Sequence, residues 1–451
     1  MEFKMCIEET IFALSSGIGR AGISVIRISG PEASSALQGL TRAKLPKPKY
    51  AKRSSFINLQ GEHIDDGLVI WFPAPNSYTG EDVVELQCHG GIAVVKALEL
   101  ALLNIPGLRP AQAGEFSRRA FENGKIDLTE AEGIVDLIEA ETEAQRKQAS
   151  RQSRGELGRL YDGWRDSLIQ AQALSETEID FSDEDVPGHL LTEAKAIAEQ
   201  IYYEITNHLN DARRGERLRV GLYLVILGPP NAGKSSLLNL LAQRDAAIVS
   251  DRAGTTRDVI DVHLDLGGFP IVACDTAGLR DVGDELETEG VRRARERAED
   301  ADIKLVVFDA NDLKTPLDID PSILDLIDTS TLVVFNKNDL PHKNLPQIIN
   351  NRPVISISVK TGEGLDTLLD ALENLAGDFL TGGFGPSITR ERHRGALTQC
   401  KSFLQNALED TEAELLGENL RLASRTLGSI TGRVDVEDLL DVIFSKFCIG
   451  K

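Results

Sequence analysis

Positive charge is what this chain lacks most. Its 451 residues include 49 Lys or Arg against 71 Asp or Glu, a formal net charge of −22. A surface of that sign repels nucleic acid as a whole, so any RNA contact has to be local or shared with a partner. Cysteine is scarce too. The five cysteines, odd in number and scattered, make no disulfide framework, and no pair has zinc-site spacing. That usage points to a reducing cytoplasm. No apolar stretch reaches membrane-spanning length, and Met1 to Arg20 lacks the basic-then-apolar order of a secretory signal. The rest is ordinary globular composition, long enough for more than one sizeable core.

Against that background stands Gly228-Pro229-Pro230-Asn231-Ala232-Gly233-Lys234-Ser235, followed by Ser236. The apolar run Val220 to Leu227 before it predicts a buried parallel strand, and Ser235 to Leu241 predicts the first turns of a helix. A glycine-rich loop between them aims backbone N–H groups and a helix N-terminus at a polyphosphate. In that pattern Lys234 reaches the β- and γ-phosphates and the Ser235 hydroxyl ligates Mg²⁺. Three further motifs follow in order. Asp275-Thr276-Ala277-Gly278 comes after the strand Ile271 to Cys274; its Asp holds Mg²⁺ through water and its Gly N–H meets the γ-phosphate. Asn336-Lys337-Asn338-Asp339 comes after the strand Thr331 to Phe335. The Asp339 carboxylate accepts from N1–H and the 2-amino group of guanine, a donor pair adenine does not offer. Ser358-Val359-Lys360 ends the strand Val354 to Ile357 and supports the base. Gly254-Thr255-Thr256-Arg257-Asp258 supplies a switch threonine, with Thr256 as a second Mg²⁺ hydroxyl. These motifs predict a GTP-binding, GTP-hydrolysing domain.

Residues 1 to about 120 predict an α+β unit: strands at Ile23–Ser29, Gly67–Phe72 and Val83–Gln87, helices at Pro31–Leu40 and Gly91–Leu103. Within it Arg42, Lys44, Lys47, Lys49, Lys52 and Arg53 form the densest basic run, readable as an RNA footprint or as a solvated loop. His89 reads as an acid–base group or as a structural histidine before a Gly turn. From about Lys125 to Gly215 the chain is helical, with Leu157, Leu160, Trp164, Leu168 and Ala171 on one face. The acidic Ser182-Asp183-Glu184-Asp185 reads as a metal site or a solvated connection. Helical patterning returns at Ala396–Leu416, Glu418–Leu427 and Val436–Phe447. The expected organisation is an N-terminal α+β domain at 1–122, a discontinuous helical domain at 123–219 and 378–451, and a Ras-like P-loop GTPase domain at 220–377 inserted in it. Cys448 beside Ile449, Gly450 and Lys451 reads as a nucleophile or as the end of a helix.

Two catalytic parts are missing from the GTPase pattern. Where Ras-like proteins place a Gln after the Asp-x-x-Gly motif to orient water, this chain has Leu279. The acidic segment Arg280 to Glu287 is the nearest source of a replacement carboxylate. No cis arginine finger is evident, and a bound cation near Asn231 is one substitute for its charge.

The order Gly80-Glu81-Asp82-Val83-Val84-Glu85-Leu86-Gln87, His89-Gly90-Gly91, the phosphate loop and Cys448-Ile449-Gly450-Lys451 resembles the MnmE (TrmE) family of tRNA-modifying GTPases along the whole chain. The resemblance implies a homodimer that, with the FAD-containing partner MnmG (GidA) in a heterotetramer, modifies carbon 5 of the wobble uridine of certain tRNAs. It implies potassium held by Asn231, Ser250, Arg252 and Thr255, and water positioned by Glu287. It also implies a 5-formyltetrahydrofolate-type one-carbon donor held by Arg27, Glu85, Lys125 and Lys451, and a functional Cys448. The alternative is a GTP-gated ribosome-assembly or signalling switch with no modification chemistry.

Overall fold

The computed structural model describes residues 9–180, 189–243, 261–275, 296–312, 319, 321–341, 345–380, 385–434, 437–445, 447 and 449–450. The chain divides into two compact units. One comprises residues 1–135, 152–166 and 424–451, the other 136–151 and 167–423.

The first unit is built on the strands β1 (Thr10–Leu14), β2 (Ala21–Ser29), β3 (Lys52–Ile57), β4 (His63–Phe72), β5 (Val83–Gly90) and β6 (Leu108–Pro110), in the order β3-β4-β5-β2-β1-β6. Pairing is antiparallel except between β1 and β6. Alternation decides what each face carries. Ile26 and Ile28 of β2 and Val84 and Leu86 of β5 are fully buried with Leu37, Leu40 and Leu98, from the helices Ala33–Thr41 and Ile92–Leu103. Side chains alternate along a strand, so Arg27 and Glu85 point to the opposite face, and the register sets them directly across from each other. A second core joins Leu128 and Ala131 to Leu440, Ile443, Phe444 and Phe447. Gly114 permits that approach: at φ +68°, a Cβ there would lie 2.3 Å from the Phe444 carbonyl oxygen.

The second unit holds β7 (Leu222–Leu227), β8 (Asp261–Leu266), β9 (Phe269–Asp275), β10 (Ile303–Asp309), β11 (Thr331–Asn336), β12 (Ile348–Ile349) and β13 (Arg352–Ser356), in the order β12-β13-β11-β10-β7-β9-β8. The five inner strands are parallel and the outer two antiparallel. Leu-Tyr-Leu-Val-Ile-Leu and Thr-Leu-Val-Val-Phe-Asn read as continuous apolar runs because both faces of a parallel sheet are covered. The helices Lys234–Gln243 and Leu365–Leu380 bury Leu237, Leu241, Leu368 and Leu372 against one face. In sequence the sheet lies between the helices Leu190–Leu209 and Glu391–Glu409, which pack on each other. From the second of these, the Arg394 guanidinium donates to the Leu209 carbonyl at 3.0 Å and to Asp211 Oδ1 at 2.7 Å, and pairs with Glu216.

Two boundaries differ from expectation. Val220 ends a short helix, Arg214–Val220, and the strand starts at Leu222, because Gly221 turns the chain at φ +101°. The expected helix Ala396–Leu416 is two: it stops at Glu409 and the chain resumes at Ala413–Thr431. Asp410 is extended (ψ 142°), with its carbonyl taken by Lys195 Nζ and its carboxylate by Asn419 Nδ2.

Candidate functional site

The phosphate loop leaves the carboxyl end of β7, between β9 and β10, where parallel sheets bind ligands. Two of its positions require glycine. Gly228 sits at φ +138°, where a Cβ would lie 2.0 Å from the Val307 carbonyl oxygen; Gly233 sits at φ +95°, where a Cβ would lie 2.3 Å from Asn336 Nδ2. The Lys234 ammonium arches back and donates to the carbonyls of Gly228 and Pro229, both at 2.8 Å. Ala232 is buried while Asn231, Ser235 and Ser236 are exposed, the last two in the first turn of the helix Lys234–Gln243. Anions are stabilised at such an N-terminus. Asp275, the last residue of β9, lies in register with Ile226 of β7, two residues before the loop.

The base-recognition segments are tied to the phosphate loop through one side chain. Asn336 is buried; its Nδ2 donates to the Ala232 carbonyl at 2.9 Å, and its Oδ1 accepts from the Lys337 N–H at 2.8 Å and the Val359 N–H at 3.1 Å. One amide therefore fixes Ala232 on the phosphate side and Val359 on the base side. Ser358 Oγ, also buried, donates to Asp339 Oδ1 at 2.7 Å and accepts from the Thr361 N–H, leaving the exposed Asp339 carboxylate aimed. Lys360 is exposed beside it. Lys337 adopts φ 66°, and its ammonium meets Asp309 Oδ2 at 2.6 Å. Burial would raise the Asp309 carboxyl, but the hydrogen bonds from Lys337 and Asn311 outweigh it and hold the group below the ordinary value. Asp309 was missed by sequence reasoning. Its signal was there, as the polar residue closing the apolar run of β10; the structure adds that it pairs in register with Asn336. Ser250, Arg252, Thr255, Thr256, Thr276, Ala277, Gly278 and Glu287 lie outside the described residues.

In the first unit Arg27 Nη2 and Nε donate to Glu85 Oε1 at 2.9 and 3.1 Å, with both side chains about four-fifths covered. The guanidinium also lies over the Tyr78 ring at 5.3 Å and the Phe116 ring at 5.8 Å. Neither aromatic was picked out from the sequence, where nothing marks them. Lys125 donates to the Pro75 carbonyl at 2.9 Å and packs along Gly80, so it is tied to the same 73–82 loop that carries Tyr78. Cys448 and Lys451 lie outside the described residues, but their neighbours dock nearby: Ile449 bridges to Ala113, and the Gly450 carbonyl accepts from Ser15 Oγ at 2.8 Å. Leu14 and Ala13, the latter opposite Arg27, immediately precede Ser15. His89 is held by Asp65. Its Nδ1 is 2.7 Å from Asp65 Oδ1 and its backbone N–H 2.8 Å from Oδ2, and those bonds hold the Asp65 carboxyl low against the burial that would raise it. Among the described residues there is no cluster of three or more metal-ligating side chains, and no helix is long and apolar enough to cross a membrane.

A motif set this ordered, on a parallel sheet, is a guanine-nucleotide site. Comparison with known proteins agrees. Residues 10–125 match the family model described as GTP-binding protein TrmE N-terminus, and residues 128–448 match the MnmE helical domain. The chain is 54% identical to a tRNA modification GTPase MnmE of Paramagnetospirillum magneticum, with 99% of this chain and 100% of that one aligned. It is 52% identical to the protein of that name from Parvibaculum lavamentivorans over 98% and 100% of the two chains. It is also 47% identical to a mitochondrial 5-taurinomethyluridine-[tRNA] synthase subunit of Danio rerio over 98% and 93%. With both family models matched in order and identity near one half from end to end, the chain belongs to the MnmE family of tRNA modification GTPases.

Proposed function

We propose that this GTPase acts with an FAD-containing MnmG (GidA) partner to add a carboxymethylaminomethyl or aminomethyl group to carbon 5 of the wobble uridine of certain tRNAs. The observation that carries the reading is the presence, on one chain, of a guanine-nucleotide site and of the Arg27–Glu85 pair framed by Tyr78 and Phe116. A nucleotide switch alone has no use for the second. Identity with a relative named for a 5-substituted uridine supports the position of the modification.

In this reading Arg27, Glu85, Lys125 and Lys451 hold a 5-formyltetrahydrofolate-type donor. The residues present fit such a group: the Tyr78 ring beside a flat heterocycle, with the buried Phe116 backing Arg27, a carboxylate for its ring N–H groups, and cations for its acidic tail. When bound, the donor supplies a one-carbon unit. A functional Cys448 belongs to the same reading, and the docking of its sequence neighbours Ile449 on Ala113 and Gly450 on Ser15 supports it.

For GTP hydrolysis the chain's own groups do the following. The phosphate-loop N–H groups and Lys234 bind the phosphates, while Ser235 and Thr256 hold Mg²⁺ directly and Asp275 holds it through water, with the Gly278 N–H at the γ-phosphate. Asn231, exposed at the crest of the loop, holds K⁺ with Ser250, Arg252 and Thr255, replacing the charge of an arginine finger. Glu287 orients the attacking water, because Leu279 has no polar atom to do so. Asp339, set by Ser358, reads guanine. The functional unit in this reading is a cytoplasmic homodimer, joined through residues 1–122 and by potassium-dependent pairing of the GTPase domains at 220–377. That domain is inserted between 123–219 and 378–451, as the packing of the flanking helices supports.

Mass spectrometry of tRNA nucleosides tests the function. Cells lacking the protein should lose the 5-substituted wobble uridines and regain them on re-expression. Unchanged nucleosides would leave a GTP-gated switch as the reading.

A further inference from the structure

The basic run of the first unit is a cluster in space as well as in sequence. In a chain with 71 acidic residues, none lies between Glu32 and Glu62, and that interval holds Arg42, Lys44, Lys47, Lys49, Lys52 and Arg53. All six are exposed. The segment begins at Arg42, the C-cap of the helix Ala33–Thr41, and runs into β3, the edge strand of its sheet among the described residues. It is pinned at three points. The Lys49 N–H donates to the Trp71 carbonyl at 2.7 Å, the Tyr50 N–H to the Lys47 carbonyl at 3.1 Å, and Lys52 Nζ to the Lys44 carbonyl at 3.3 Å. Arg42 folds against Gly61, in the turn between β3 and β4, so it too lies along the β3 edge.

These cations are poorly neutralised. Among the described residues their one ion pair is Arg53 with Asp66, at 3.8 Å, where the Arg53 side chain is 80% exposed. Asp66 is already engaged by Ser55 and His63, and Asp65 by His89. At the middle of the ridge Tyr50 is 68% exposed. An exposed aromatic among fixed cations suits a single-stranded polyanion whose bases unstack, and a solvated loop needs neither the ring nor the pinning. The strongly acidic balance of the chain as a whole makes an acid-free ridge a favoured place for such a contact.

We propose that Arg42 to Arg53 is a landing ridge for the tRNA phosphate backbone, with Tyr50 as the platform for one unstacked base. The choice of tRNA rests on the proposed function; the ridge itself rests on the geometry above.

Binding of the full chain to a labelled tRNA transcript, followed across a salt series, tests it. Each phosphate contact contributes about 0.7–0.9 to the slope of log affinity against log salt. The triple variant Lys44→Ala, Lys47→Ala, Arg53→Ala should therefore bind with a slope shallower by roughly 2–3. The matched Lys44→Arg, Lys47→Arg variant should keep the native slope, which separates charge from folding. Tyr50→Ala should weaken binding about tenfold at unchanged slope, as loss of a stack does. GTP turnover without tRNA should be native in all of them. A triple variant with native slope overturns the ridge while leaving the function intact. A chain that holds no tRNA, alone or with its flavoprotein partner, overturns both.

Discussion

Asn336→Ala is the perturbation whose cost can be worked from the structure. The side chain is 3% exposed and makes three hydrogen bonds, to the Ala232 carbonyl and to the N–H groups of Lys337 and Val359. A hydrogen bond is worth about 1 kcal/mol net, and a buried partner left bare costs as much or more. The loss is therefore about 3 kcal/mol, or about a hundredfold in affinity if it falls on nucleotide binding. It should fall there, because Ala232 and Val359 belong to the two loops proposed to meet the nucleotide. Titration with a fluorescent GDP analogue, and its dissociation by stopped flow, should show the hundredfold loss mostly as faster release. Gly233 supplies an internal control. Its added Cβ would meet Asn336 Nδ2 at 2.3 Å. Gly233→Ala should therefore be far less damaging in the Asn336→Ala background, where only the backbone strain of about 1–3 kcal/mol remains. Affinity within about threefold of native, or equal cost of Gly233→Ala in both backgrounds, would refute the idea that one amide couples the loops.

Asp339→Asn should weaken GTP and favour xanthosine nucleotides, which carry an acceptor at carbon 2; competition binding of the two reads this directly. Asp309 is held below the ordinary carboxylate value of 3.8, so the stability it contributes is present above that value and lost as pH falls through the lower folded one. Asp309→Asn should flatten the acid limb of a plot of melting temperature against pH in that window and leave it unchanged near neutrality in slope. Potassium should accelerate GTP turnover strongly and sodium should not, and Asn231→Ala should abolish the difference while retaining nucleotide. Equal turnover in the two salts at matched ionic strength would return the missing charge to an external activator.

What the sequence made legible was local. The phosphate loop, the Asn336–Asp339 motif and the buried strands around them are contiguous patterns whose chemistry is set by neighbours in the chain. Two boundaries failed for different reasons: the break at Asp410 depends on Lys195, far away in sequence, whereas the strand start at Leu222 depends on the positive φ of Gly221, which an apolar run does not reveal. The Arg27–Glu85 pair, like the break at Asp410, depends on a distant partner. Alternation in β2 and β5 puts both residues on the face away from the core, but only the pairing register puts them opposite one another. Periodicity gives no register between strands so far apart, and those two residues came from family resemblance. Asp309 was legible in principle, as a carboxylate ending an apolar strand, and was passed over because it sits in no motif.

The grip of Arg394 on Leu209, Asp211 and Glu216 has a mechanical consequence. Chain running into the nucleotide-binding sheet and chain running out of it are pinned within the span of one guanidinium. Both ends of the sheet thus enter through one pivot, and a second contact lies at β8 and β9, where the Ala144 N–H donates to the Gly268 carbonyl at 3.1 Å and His263 Nδ1 lies 3.2 Å from Glu141 Oε2. Because of the pivot the helices do not need the sheet to hold their ends together. Replacing residues 222 to 385 by a short flexible bridge closes a gap that is already closed, at little entropic cost. The flanking helices should remain paired in such a chain, and Arg394→Ala should loosen only the end of the pair next to Asp211 and Glu216.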